Sequence, residues 1–216
     1  AAGIKPGESK TPRYEPVAPL IAFLLLAGCR IGEAQGLTWD ALNLDAVDHD
    51  GKPTGEIRLA AQATKTHSAR TITLTHTPLL RELLQAMRAT ADDDALHVFG
   101  GAEPFGRDVL EAARKRLHAQ AEPHKAPAFD WQLCRSTCAT FSCNAPSVFG
   151  EAAHFVSAKR LGHSVTVSEK HYAGLFTGIP REARTLEAAM GIEAVVARVI
   201  QAEKASPSRE VLRAIA

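Results

Sequence analysis

The chain has 216 residues, 45% of them hydrophobic and 23% charged, with a net charge of +1; this is an ordinary globular composition with enough length for one substantial core. The longest apolar run, Pro19 to Cys29, is far too short to span a bilayer and lacks the basic flank and cleavage site of a signal peptide, which points to the cytoplasm. The near-neutral charge neither requires nor excludes nucleic acid, because a basic cleft can sit in an acidic exterior.

Residues 1 to 16 hold three prolines, two glycines and several charges without apolar periodicity, and read as a linker or arm of a longer protein. Val17 to Gly28 is rich in Leu and Ala and predicts a buried helix ending at Gly28, with a second, short helix over Ile31 to Leu37. Glu56 to Ala60 and Arg70 to Leu74 alternate polar with apolar residues and predict two strands of a small antiparallel sheet. The polar segment Gln62 to Ala69 joins them, and the end of the Asn43 to Asp50 stretch offers a third strand. Thr77-Pro78 suits a helix start, followed by amphipathic Leu79 to Met87. Arg107 to Gln120 carries apolar residues at helical spacing and a basic opposite face that includes Arg114 and Lys115. Further helices are expected over Asp130 to Ser142, Glu151 to Leu161 and Val165 to Tyr172, then Arg181 to Met190 and Glu193 to Lys204 in the tail. The fold class is mainly α with a small antiparallel β-sheet.

The four cysteines, Cys29, Cys134, Cys138 and Cys143, form no CxxC pair and predict free thiols. Cys134, Cys138 and His154 lack the paired spacing of a structural zinc site, so no metal is expected.

Three constellations carry chemistry. Arg30 follows a buried helix, where a guanidinium is costly without a partner, and Glu33 stands three positions on. Arg135 lies in an otherwise small and apolar helix, three residues after Gln132. Leu161-Gly162-His163-Ser164 is followed by Tyr172, nine positions after His163; Gly162 suits a helix end, and Ser164 or Thr166 can cap the next helix. Each taken singly reads as a packing or salt-bridge residue.

Taken in order, Arg30, Lys65, Arg135, His163 and Tyr172 resemble the tyrosine recombinase (phage integrase) family. AGCRIGEAQGLTW is similar to its first arginine box, and the Lys65-Thr66 turn before RTITL resembles its β-hairpin lysine. QLCRSTCAT matches the HxxR box except at its first position, where Gln132 stands. LGHS and the tyrosine nine residues on match the last box, and PREARTLEAAMGIE resembles the end of phage-type bacterial integrases. The resemblance runs from about Val17 to about Ile200. It implies the recombinase catalytic-domain fold over 17–180 and a helical tail over 181–216 that is passed to a neighbouring subunit. It also implies a bacterial cytosol or nucleoid setting, double-stranded DNA as partner, a tetramer on DNA and no cofactor.

By that resemblance Tyr172 attacks a DNA phosphate and forms a 3′-phosphotyrosyl link, while Arg30, Arg135 and His163 hold the phosphate oxygens. Glu33 orients Arg30, and Lys65 protonates the leaving 5′ oxygen. Arg70, Arg114 and Lys115 are expected to touch DNA. Gln132 departs from the family: an amide can donate a hydrogen bond to phosphate but cannot exchange a proton near neutral pH. The spacing from Arg135 to His163 is also longer than the family pattern, which predicts a loop insertion between Cys143 and Phe155.

Overall fold

The computed structural model describes residues 17–61, 69–125, 128–172 and 178–205. The linker at 1–16 and Lys65 lie outside the described residues. Helix α1 (Ala18–Ala27) is apolar on every side and lies at the centre, with Leu20, Phe23, Leu24 and Leu26 fully buried. It packs against α5 (Trp131–Asn144) and α3 (Pro78–Thr90). The short α2 (Ile31–Gln35) follows, then a three-stranded antiparallel sheet in the order β1 (Leu42–Asn43), β2 (Glu56–Leu59), β3 (Arg70–Thr73). The third strand is therefore Leu42–Asn43, ahead of the expected stretch, because Asp48 folds the chain into a turn by accepting from the Asp50 and Lys52 amides.

Register decides which strand residues face the core. Ile57 pairs with Ile72 and Leu59 with Arg70, so Arg70, Ile72 and Leu74 share the inward face while Thr71 and Thr73 point out. Helix α4 (Arg107–Ala121) lies beyond α3 in the chain and buries only Leu110 and Ala113. The second half is α5, α6 (Pro146–Phe149), α7 (Ala153–Leu161), α8 (Val165–Tyr172), α9 (Leu186–Met190) and α10 (Glu193–Ala205). The stretch expected as a loop insertion is thus largely helical, with a 3-10 turn over Gly150–Ala152. Val148 and Phe149 are buried and anchor it to the core. Helix α9 is shorter than expected, starting at Leu186 behind a Thr185 cap.

Helix α10 buries Val196 and Ile200 and packs on α3 of the same chain, where Lys204 meets Glu82 at 2.8 Å. Glu187 of α9 reaches the start of α3 and accepts from the Leu79 and Leu80 amides at 3.0 and 3.3 Å, satisfying orphan donors of that helix. The four cysteines are free and buried. No described helix is long and apolar enough to cross a membrane.

Gly28 ends α1 in the left-handed region, at φ 71°, and its amide closes on the Leu24 carbonyl. A Cβ there would lie 2.5 Å from Leu161 Cδ2 and 3.0 Å from Cys138 Sγ. Gly28→Ala is expected to destabilise the fold by about 2–4 kcal/mol, from the left-handed Cβ penalty and overpacking together. The midpoint and slope of urea unfolding measure it; an unchanged midpoint would show that α1 and α7 can separate at little cost.

Candidate active site at the ends of helices α1 and α7

Arg30 is the residue between α1 and α2. Its backbone amide donates to Glu33 Oε2 at 2.8 Å and its Nη1 to Oε1 at 3.1 Å, so the Glu33 side chain reaches back over the start of α2. The Glu33 side chain is 2% exposed and that of Arg30 28%, so the carboxylate is inside while the guanidinium reaches the surface. Among the described residues Arg30 Nε and Nη2 make no hydrogen bond.

Glu33 has a second cation. Arg70 forks onto it, Nη1 to Oε1 at 3.1 Å and Nη2 to Oε2 at 2.6 Å, and its side chain is only 7% exposed. Arg70 Nε donates to the Arg160 carbonyl at 3.0 Å. Burial pushes the Glu33 carboxyl up, but the hydrogen bonds from Arg70 and Arg30 and the charges of Arg70 and Arg135 outweigh it and hold the group below its ordinary value. The sequence expectation placed Arg70 on DNA; the structure engages its fork inside the protein. The reason is strand parity, since position 70 shares the inward face with Ile72.

Arg135 sits on the buried face of α5 with Trp131, Cys134, Cys138 and Ala139, spaced as one helical stripe. Its Nη1 donates to the Gly28 carbonyl and its Nη2 to the Leu161 carbonyl, both at 2.6 Å. It therefore ties together the ends of α1 and α7. Burial first, and then the neighbouring Arg30 charge, push its pKa below the ordinary arginine value. Gln132, one turn earlier, is exposed; its backbone amide is capped by Asp130.

Helix α7 ends at Gly162, φ 70°, and Ser164 caps α8 through the Val167 amide at 3.3 Å. His163 lies in this turn. Its Nδ1 is 3.0 Å from the Ser164 carbonyl, and since a carbonyl only accepts, Nδ1 carries the proton. Nε2 is buried and has no partner among the described residues, so neutral His163 offers a lone pair there and becomes a donor only when protonated. Burial, together with the charges of Arg135, Arg30 and Arg70, lowers its pKa; the Ser164 bond works the other way.

Tyr172 ends α8, and helical side chains lean toward the N-terminus. Its ring accordingly stacks on His163 with centroids 6.0 Å apart and planes at 20°. Asn144 holds the end of α8, donating to the Tyr172 carbonyl at 2.7 Å and to Thr140 at 2.8 Å. An open hollow beside His163 is lined by Arg70, Phe155, Lys159 and Gly162 and runs to Ala69, where the segment bearing Lys65 rejoins the described chain.

Arg30, Arg135, His163 and Glu33 thus converge on one place, with Tyr172 against His163. Arg114 and Lys115 lie elsewhere, on α4: Arg114 forks onto Glu111 at 2.9 and 2.8 Å, and Lys115 stands 3.9 Å from the same carboxylate. Sequence reasoning missed Arg160, which is buried and donates to the Leu26 and Thr73 carbonyls and to Thr77 Oγ1. Its signal was available: Ala153, Val156, Ser157, Arg160 and Leu161 form one helical stripe, and only Arg160 in it is charged. Compared with protein-family models, curated proteins and solved structures, the chain matches none.

His76 is also held below its ordinary value, by burial and by the Arg160 charge. Both histidines bind a proton less readily folded than unfolded. The stability they contribute is complete above the unfolded value of about 6.5 and is lost as the pH falls below it. Burial raises Glu187, which shifts stability in the opposite sense, so a residue-resolved measurement is needed. Ring NMR titration is expected to place both midpoints below about 6.5; a midpoint at or above that value for His163 would contradict the arrangement of cations around it.

Proposed function

We propose that this chain is the catalytic domain of a tyrosine site-specific recombinase that cuts and rejoins DNA through a covalent 3′-phosphotyrosyl intermediate. The observation that carries the reading is the convergence of Arg30, Arg135 and His163, from three distant parts of the chain, with the Tyr172 ring stacked on His163. The order of motifs in the sequence supports it independently.

A DNA phosphodiester repels nucleophiles, and attack on phosphorus spreads further charge over the non-bridging oxygens. The useful catalyst is fixed positive charge and hydrogen-bond donors aimed at those oxygens. Arg30 supplies the free arms of a fork that Glu33 steadies. Arg135 places a permanent charge beside them, and His163 donates through Nε2 once the bound phosphate favours its protonated form. Tyr172 gives up its phenolic proton to solvent as its Oη attacks phosphorus, and the O5′–P bond breaks as the 3′-phosphotyrosyl bond forms. The departing 5′ oxygen takes a proton, which Lys65 would deliver. Attack of a 5′ hydroxyl from another strand reverses each bond change, so the link conserves the energy of the broken bond. In this reading the partner is double-stranded DNA and the working assembly a tetramer in the bacterial cytosol. Subunit exchange through the tail requires either residues beyond 205 or release of α10 from α3.

One observation favours a second reading, a DNA-binding module with impaired catalysis. Gln132 stands in the first turn of α5 where the family pattern has a proton-exchanging side chain, and Arg135 spends one arm of each terminal nitrogen on carbonyls.

Duplexes selected from a random library by covalent capture, then nicked to trap the intermediate, separate the readings. A denaturation-resistant protein–DNA adduct is expected, abolished in Tyr172→Phe, with Gln132→His raising its rate of formation. DNA binding with no adduct would favour the second reading, and no binding at low salt, where phosphate contacts are strongest, would sink both.

A further inference from the structure

Glu33 is shared with unusual symmetry. Oε1 accepts from Arg30 Nη1 and Arg70 Nη1, each at 3.1 Å, and Oε2 from the Arg30 amide at 2.8 Å and Arg70 Nη2 at 2.6 Å. Arg70 is the inner partner, 7% exposed against 28% for Arg30, and it alone clamps both oxygens with its side chain. Its third nitrogen holds the Arg160 carbonyl, two residues before Gly162. Gly162 is packed against the same side chain: a Cβ there would lie 3.1 Å from Arg70 Cδ and 3.2 Å from Nη1. One side chain therefore touches the carboxylate that steadies Arg30 and the turn that carries His163. It does so from the first residue of β3, two positions after the segment that holds Lys65.

We propose that Arg70 is a positioning residue: its fork on Glu33 sets the Arg30 guanidinium, and its bond to Arg160 and packing on Gly162 set the His163 turn. The proposal rests on the recombinase reading for its effect on rate, but not for its effect on geometry. Arg70 itself does not meet DNA. A lysine cannot replace it, because a point charge cannot clamp two carboxylate oxygens in one plane and reach a carbonyl as well.

The experiment compares wild type, Arg70→Lys and Arg70→Gln in three measurements. The first needs no DNA: side-chain NMR of Arg30 Nε–H and of the His163 ring. Both variants are expected to unfold cooperatively in urea yet to show shifted or broadened signals at both residues. The second is binding to the selected duplex as a function of salt. Kd is expected to stay within about 3-fold and the salt slope to stay unchanged, since no phosphate contact is removed. The third is the single-turnover rate of adduct formation on the nicked duplex, expected to fall about 10- to 100-fold from misplaced groups alone. Unchanged Arg30 and His163 signals would overturn the proposal. So would a salt slope reduced by about one, the mark of a lost phosphate contact, or full rate in Arg70→Lys. Failure of both variants to fold would assign Arg70 to the core instead. Absence of an adduct in wild type would overturn the recombinase reading, and the NMR comparison would still decide the role of Arg70.

Discussion

Four arginines, Arg30, Arg70, Arg135 and Arg160, meet where helices α1 and α7 end, and Glu33 is the carboxylate that two of them share. Moving a guanidinium out of water is expensive unless its donors are taken up. Here the helix ends take them up. Leu26 and Gly28 at the end of α1, and Arg160 and Leu161 at the end of α7, present backbone carbonyls that their helices leave unused. Those carbonyls are also the negative ends of the helix dipoles. The cluster therefore holds more cation than carboxylate, with Glu33 shared by two arginines.

Two glycines make the approach of the helices possible. Gly28 and Gly162 each end a helix at positive φ, and each lies against a side chain that a Cβ would displace: Leu161 and Cys138 at the first, Arg70 at the second. The same two positions expose the carbonyls and the turn that the arginines and His163 use. Helix termination, close packing and charge placement are one structural event here. Substitution at either glycine would disturb all three together.

The arrangement divides the arginines by task. Arg135, Arg160 and Arg70 are committed to the protein, and Arg30 is the more exposed cation, its side chain 28% exposed against 7% for Arg70. His163 Nε2 is buried without a partner among the described residues, and the Tyr172 ring stacks on the same imidazole.

Much of this was legible in residue patterns. Helical spacing marked α1, α4, α5, α8 and α10, alternation marked β2 and β3, and Gly28 and Gly162 marked two helix ends; these are local rules of backbone and burial. The pairing of Arg30 with Glu33 was readable because three positions on a helix are neighbours. Partners distant in the chain were not readable. That Arg70 would turn inward onto Glu33, that Arg160 would be a buried cation, and that α10 would lie on α3 depend on register and on which helix ends meet. The helical character of Pro146–Phe149 likewise came from the burial of Val148 and Phe149 against a core that no local window contains. The sequence by itself determined which residues carry charge and where helices stop; the tertiary structure decided which charges are spent inside, because only packing sets which carbonyls and carboxylates are within reach.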